Sequence, residues 1–353
     1  MTNFHKILVM RLDNIGDVIM TSPVLQAIKE NFPDSHLTLM ASSGGAQAAS
    51  LLPWIDEVIS WRVLWQDLGK LDFDPNREWE LIRILQAGKF DAVIILTSFS
   101  QSPYPAAFLC YLAGIPSRWG ESKEFCEGLL TLSVPPAPDE IHQVERNLRL
   151  IETAGLEVSD RSLSIEIPET AQQEALTLLQ NSQSPYLLLN PWTSCQSRNY
   201  DSQRFAIAAY QLAKETQMSV LVTGVEKDRD KSEALLEILG DCAIDLIGKT
   251  TLPQLAALIA NAKLVLTNNT STMHIADATR TPTIVMFAGT ELESQWEPRN
   301  GYSRLLRRST TCSPCYAFTC PYNLECLDIS PEEVVTAGLD LLETFKSPTI
   351  NSN

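Results

Sequence analysis

One stretch limits what this chain can fold into more than any other. Residues 264–267 are a short apolar, β-capable run, residues 268–272 are a cluster of turn and cap formers, residues 273–278 suit a short helix, and Pro282 opens another apolar run ending near Gly289. That order of strand, turn, helix and strand belongs to a parallel sheet. In such a sheet the turn falls at the carboxyl end of the strand, where the first N–H groups of the helix are unpaired and partly positive. Asn269, Thr270, Ser271 and Thr272 therefore sit where an anion would be received. Taken alone, a hydroxyl-rich turn is more often just a cap, and a lone histidine such as His274 is more often structural than catalytic. The rest of the chain has to decide.

The same alternation runs from end to end. Residues 6–11 read as a central parallel strand; Gly16 follows, placed to let the chain turn tightly, and Val18, Ile19, Val24, Leu25 and Ile28 give a helical face running on to Phe32. Strands are expected at 36–41, 57–61 and 90–97, and helices at 76–86 and 104–113. The helix at 140–154 puts Ile141, Val144, Leu148 and Ile151 on one face and ends at Gly155, a good cap. His142 at its start is read as a capping or solvated residue, with a hinge or acceptor-side role as the alternative. From 157 to 185 scattered Ser, Asp, Pro and Gln surround a short helix near 171–179, which places the domain boundary there. The second half restarts with strands at 186–190, 219–223 and 244–247 and helices at 203–215, 227–239 and 252–262. Two successive α/β domains with a cleft between them follow from this pattern.

Length and charge narrow the function. A chain of 353 residues is too long for one ordinary core and suits two domains. A net charge of −16 argues against general affinity for nucleic acid or for an anionic membrane surface, so an acidic ligand needs a local positive seat. No apolar run approaches the roughly 20 residues of a spanning helix, and the first residues lack the regions of a signal peptide, which points to a cytoplasmic protein. Four of the eight cysteines, Cys312, Cys315, Cys320 and Cys326, cluster with the spacing C-x2-C-x4-C-x5-C. They are expected to lie close together in space, as a metal site or as two disulfides that staple the loop, and to have no catalytic part. Cys110, Cys126, Cys195 and Cys242 read as ordinary reduced thiols.

Three loops complete the reading. The loop after residues 186–190 carries Thr193, Ser194 and Arg198, two hydroxyls and a guanidinium able to fork onto phosphate oxygens. The loop after residues 219–223 brings Gly224, Glu226 and Asp228, acidic acceptors of the kind that hold a ribose diol. With the central turn they open at one edge of one sheet, which is how α/β domains bind nucleotides. In the first domain Asp17 stands at a strand-to-helix junction, where a carboxylate can simply cap the helix. Asp13 lies in the same loop and is expected to face the turn's own N–H groups.

In this order the features resemble glycosyltransferase family 9, the heptosyltransferase family. Gly16, Asp17, Val18 and Pro23 resemble the family's opening, Thr193 to Arg198 with Tyr200 its basic loop, and the central stretch its Asp-Thr-Gly-Pro-Met-His-Ile-Ala signature. Phe287, Ala288, Gly289 and Thr290 resemble its Phe-Gly-x-Thr element, and the cysteine segment and residues 329–334 also have counterparts there. The resemblance implies a GT-B architecture of two Rossmann-like domains whose parallel sheets face across a cleft. Residues 1–165 are then the acceptor-side domain and residues 183–330 the sugar-nucleotide domain. Residues 331–353 form a C-terminal helix and tail, with packing of the helix back toward the first domain left open. It implies inverting, metal-independent transfer without a cofactor, with Asp17 as general base. Thr193, Ser194 and Arg198 match positions that hold the diphosphate, and Asp228, or else Glu226, the position that meets the ribose. His274 is assigned to the donor side, its ring N–H directed at the diphosphate or its sugar.

The implied donor is a nucleoside-diphosphate sugar, ADP-heptose foremost, and the acceptor a lipopolysaccharide or other cell-surface glycan or glycolipid. A monomer is expected, working in the cytoplasm or at the inner face of the cytoplasmic membrane, with membrane contact through the acceptor and no nucleic-acid partner. The chain departs from the signature at Asn269, in place of Asp, and at Ser271, in place of Gly. Asn keeps an acceptor oxygen but loses the charge, which puts the donor sugar in question. A sugar-nucleotide epimerase or hydrolase on the same architecture, or a non-catalytic sugar-nucleotide binder, are the competing readings.

Overall fold

The computed structural model describes residues 4–67, 69–124, 128–179 and 184–346. Cys126 and the tail 347–353 lie outside the described residues. The chain divides between Glu166 and Ile167 into two compact units.

In the first unit, β1 (Lys6–Arg11) leads into the short helix α1 (Ile15–Ile19) and then α2 (Ser22–Asn31). The single helical face expected from Val18 to Phe32 is thus broken in two. Pro23 is the second residue of α2, in the first turn where its fixed φ and missing N–H are tolerated. Gly16 lies inside α1 and is not among the residues with positive φ, so the tight turn expected of it is absent and the chain reverses at Asp13 and Asn14 instead. There follow β2 (His36–Ala41), β3 (Glu57–Ser60), α3 (Pro75–Gly88), β4 (Ala92–Ile95), α4 (Tyr104–Leu112), β5 (Ser117–Glu121), β6 (Leu132–Val134) and α5 (Gln143–Thr153). The strands form a parallel sheet ordered β3-β2-β1-β4-β5-β6. Leu8 and Val9 of β1, and Val93 of β4, are fully buried, as strands covered on both faces must be.

His142 is the cap of α5: its Nδ1 accepts from the N–H of Val144 at 3.2 Å. Gly155 follows at φ +90°, a left-handed turn residue past the helix end that no other residue takes cheaply.

The second unit runs α6 (Glu169–Leu178), β7 (Tyr186–Asn190), α7 (Ser202–Thr216), β8 (Ser219–Val222), α8 (Glu233–Leu239), β9 (Ala243–Asp245), α9 (Leu252–Asn261), β10 (Leu264–Asn268), α10 (Ser271–Ala278), β11 (Thr283–Met286), α11 (Glu293–Trp296), β12 (Ser303–Leu306) and α12 (Pro331–Lys346). Its parallel sheet is ordered β12-β11-β10-β7-β8-β9. α6, read as part of the linker, packs on α9, and α12 packs on α7, β11 and β12 within this unit. Leu187, Leu189, Leu264, Leu266, Ile284 and Met286 from the three central strands are fully buried in one core with Phe205, Leu212, Val334 and Leu341 from the flanking helices. Each side chain of that size contributes about 1.5–3 kcal/mol by leaving water.

α8 begins later than expected, because residues 226–232 form two tight 3-10 turns that Asp228 and Ser232 hold from inside. Among the described residues no helix is long and apolar enough to cross a membrane.

Candidate functional site

Two centres stand out, one in each unit. In the first sheet, β1 has β2 on one side and β4 on the other. The chain direction of the connections reverses here, and in open α/β sheets it is at such a switch point, outside the carboxyl ends of the strands, that ligands bind. Arg11, the last residue of β1, is fully buried there and holds two carboxylates. Its Nε is 3.1 Å from Asp13 Oδ2, and its Nη2 donates to Asp17 Oδ1 at 3.0 Å and to Ser98 Oγ at 2.9 Å. The two aspartates remain 13% and 15% exposed.

Contrary to expectation, Asp13 does not face the turn's own N–H groups. Asp17 is the one that takes the turn's N–H, accepting from Asn14 N at 3.1 Å, whereas Asp13 accepts from Gln101 Nε2 at 2.6 Å. Burial pushes the Asp13 carboxyl above the usual range and Asp17 adds to this, while Arg11 and Gln101 pull it back. Gly45, at the start of the 3-10 turn that follows β2, lies close against this loop: a Cβ there would stand 2.6 Å from the carbonyl oxygen of Asp13.

In the second sheet the reversal lies between β10 and β7, and the loops after them carry most of the residues singled out from the sequence. Asn268 bolts the two together, accepting from Tyr200 N at 3.1 Å and donating to Pro191 O at 2.7 Å. Thr193 turns its hydroxyl into its own loop, onto Cys195 O at 2.6 Å, and Ser194 is exposed. Arg198 donates from Nε to Thr290 Oγ1 at 3.2 Å and from Nη2 to Glu291 Oε1. Asn269 accepts from Ala288 N at 3.2 Å and points Nδ2 at Glu291 Oε2 at 3.5 Å. Thr270 is the extended cap residue of α10 and makes no side-chain cap, so the positive end of that helix is left to others; Ser271 is half-buried beside it and Thr272 buried.

The structure therefore gathers Arg198, Asn269 and the start of α10, and adds Thr290 and Glu291. Gly224 and Asp228 stand on the neighbouring loop, tied in through Trp192, whose Nε1 donates to Ser232 Oγ at 2.8 Å. Asp228 is buried, accepting from Val225 N at 3.3 Å and pairing with Lys231 at 2.7 Å, while Glu226 is exposed and pairs with Arg229.

His274 is buried on α10, and this burial, with the Arg198 charge second, lowers its pKa from 6.5 to about 4. The ring is neutral at pH 7, with one nitrogen able to donate and the other to accept. The unfolded chain takes a proton near pH 6.5 and the folded chain only near 4, so stability falls as pH drops through that window. His274→Gln is expected to remove up to ~3 kcal/mol of that loss. Denaturant unfolding of both proteins at pH 7 and pH 4 measures it, and an unchanged difference between the two pH values would contradict it.

Cys312, Cys315, Cys320 and Cys326 come together along one cavity of about 300 Å³, whose wall includes Ser197, Gly289 and Thr290. All four are free thiols, as are buried Cys110 and Cys195 and half-buried Cys242. Among the described residues no three His, Cys, Asp or Glu side chains are arranged to hold an ion. The segment is pinned to the loops that carry Arg198 and Thr290: Ser197 N donates to Phe318 O at 3.1 Å, Cys315 N to Gly289 O at 3.1 Å and Tyr316 N to Thr290 O at 2.9 Å.

The model of the glycosyltransferase family 9 (heptosyltransferase) matches residues 78–325. The chain belongs to that family. Among curated relatives of this family 9 member, the lipooligosaccharide heptosyltransferase 2 of Campylobacter jejuni is 24% identical over 329 residues, covering 91% of this chain and 94% of its own. Among solved structures, a family 9 glycosyl transferase from Veillonella parvula superposes with a TM-score of 0.81 at 22% identity, covering 98% of this chain and 99% of its own. The E. coli ADP-heptose lipopolysaccharide heptosyltransferase II does so with a TM-score of 0.75 at 22% identity, covering 97% and 100%. At that identity the likeness establishes the fold, the GT-B class with its two Rossmann-like parallel-sheet units. Sequence reading missed four residues of the two centres, Arg11, Ser98, Gln101 and Glu291. Only Arg11 left a signal, as a cation closing an otherwise apolar strand run.

Proposed function

We propose that this family 9 chain is an inverting, metal-independent glycosyltransferase. It moves a sugar, heptose from ADP-heptose, onto a hydroxyl of a lipopolysaccharide-type or other cell-surface glycan. The observation that carries the reading is the seat in the second unit, where Arg198 is fixed by Thr290 and Glu291 beside the uncapped start of α10. Fixed donors of this kind stabilise the charge that gathers on a leaving diphosphate, and losing one costs about 2.7–4 kcal/mol of barrier. In the proposed step the acceptor oxygen bonds to the anomeric carbon as the bond from that carbon to the diphosphate oxygen breaks. The hydroxyl proton passes to Asp17, and the electron pair leaves with the diphosphate. A single displacement of this sort inverts the anomeric centre. Thr193, Ser194 and Arg198 would hold the diphosphate, Asp228 the ribose, and His274 the diphosphate or its sugar.

The test is to incubate the protein with ADP-heptose, with and without a heptose-accepting glycolipid, in buffer containing EDTA. ADP release that needs the acceptor and ignores the chelator is expected. Release without acceptor would mean hydrolysis, and interconversion of the sugar nucleotide without release would mean epimerisation. A thermal-shift screen of nucleoside diphosphates gives the same reading more cheaply, since a ligand at 100 times its Kd stabilises by roughly 2.7 kcal/mol.

A further inference from the structure

We propose that Glu291 is a specificity-determining residue of the donor seat, a carboxylate that accepts hydrogen bonds from the hydroxyls of the transferred sugar and opposes binding of the bare nucleoside diphosphate. The proposal rests on the reading of Arg198 as a diphosphate ligand and goes beyond it. A site meant to receive an anion has no use for a built-in negative charge unless that charge does something else. Here Glu291 brings one into the seat. Its side chain is 18% exposed beside the 28% exposed Arg198, and its Oε1 accepts from Arg198 Nη2. Oε2 lies 3.5 Å from Asn269 Nδ2, at the outer limit of a hydrogen bond.

Each carboxylate oxygen can accept twice, so holding the guanidinium does not by itself exhaust the group's capacity as an acceptor. Asn269 is neutral, which leaves Glu291 as the carboxylate of this cluster. Arg198 uses Nε on Thr290 and Nη2 on Glu291, and among the described residues no hydrogen bond runs from Nη1. That nitrogen can meet a phosphate oxygen while Glu291 stays in place.

The consequence is a difference between substrate and product. A nucleoside diphosphate on Arg198 faces the Glu291 charge with nothing to offer it. The sugar conjugate presents hydroxyl donors to that same carboxylate, and hydrogen bonds to a charged acceptor are among the stronger ones. The seat then favours the loaded donor over the spent one. Once the sugar has left, the repulsion remains and helps the diphosphate go.

Isothermal titration of ADP and of ADP-heptose into the full chain and into Glu291→Gln tests this, with Glu291→Ala as the second variant. The expected result is that ADP-heptose binds about ten- to a hundredfold more weakly to Glu291→Gln, from the usual worth of hydrogen bonds to a charged group, while ADP binds as well or better. The ratio of the two dissociation constants therefore moves by at least tenfold. Equal weakening of both ligands would overturn the proposal, because Glu291 would then only position Arg198. Equal tightening would also overturn it, since the residue would be a counter-ion and nothing more. If the unaltered chain binds neither ligand, the reading of Arg198 falls as well, and that outcome is distinct from the other two.

Discussion

Asp17→Asn is expected to lose about 10²–10⁴ in turnover, the usual worth of general-base assistance, while the protein stays folded and still binds nucleoside diphosphate. The reasons lie in the Arg11 cluster. One fully buried guanidinium serves two carboxylates, so the group is one negative charge in excess. Making Asp17 neutral leaves Arg11 with Asp13, a matched pair. The amide keeps an oxygen that can accept from Asn14 N, so the start of α1 keeps its cap. The proposed diphosphate seat is built from residues 198, 269, 290 and 291 and loses no contact. Single-turnover rates with ADP-heptose and acceptor, beside ADP titration, separate these effects. A variant that transfers at the original rate, while Asp13→Asn does not, would move the base to Asp13. Both aspartates lie on the same guanidinium at nearly equal exposure, so this comparison is a fair one.

Most of the fold could be read from the chain, because its central strands are largely apolar runs of strand length flanked within a few residues by Gly, Pro, Asn, Asp or Ser. β1, β2, β4, β7 and β10 all announce themselves in this way. The strands that escaped notice are the ones whose burial depends on distant partners. β5 contains Ser117, Arg118, Gly120 and Glu121 and looks like a loop. It is nonetheless buried, since Arg118 donates to the carbonyl oxygens of Leu129 and Pro116, and Glu121 takes Arg146 Nη1 at 2.6 Å. β6 and β12, of three and four residues on the sheet edges, are too short for any periodicity to show.

The candidate site divides along the same line. Residues placed by a local rule, such as Asp17 after a strand or Thr270 before a helix, could be found from spacing. Glu291 could not, because its importance comes from meeting Arg198, which is 93 positions away in sequence. Asp13 was found but misassigned, for its partner Gln101 lies 88 positions away.

Replacing the cation of the cluster should have the opposite consequence to replacing a base. Arg11→Met is expected to destabilise the protein by about 3–5 kcal/mol at neutral pH, the cost of breaking a buried ion pair from one side. Methionine fills most of the volume, so the loss is electrostatic rather than a cavity. What remains is two carboxylates in one cluster, each short of its donor, with Gln101 and Asn14 as their surviving hydrogen-bond partners. The pH dependence identifies this cause. Burial and Asp17 already raise the Asp13 pKa, and Arg11 is the main influence holding it down. Without Arg11 the folded chain binds a proton at Asp13 more readily than the unfolded chain does, so this contribution to stability grows as pH falls and is lost as pH rises. The deficit of Arg11→Met relative to the unaltered protein should therefore be larger at pH 8 than at pH 5.5 in urea unfolding. A deficit that is the same at both would mean that packing, not charge, was lost. Arg11→Lys completes the comparison: it restores the charge but has no fork with which to meet Asp13, Asp17 and Ser98 together, and should recover only part of the stability.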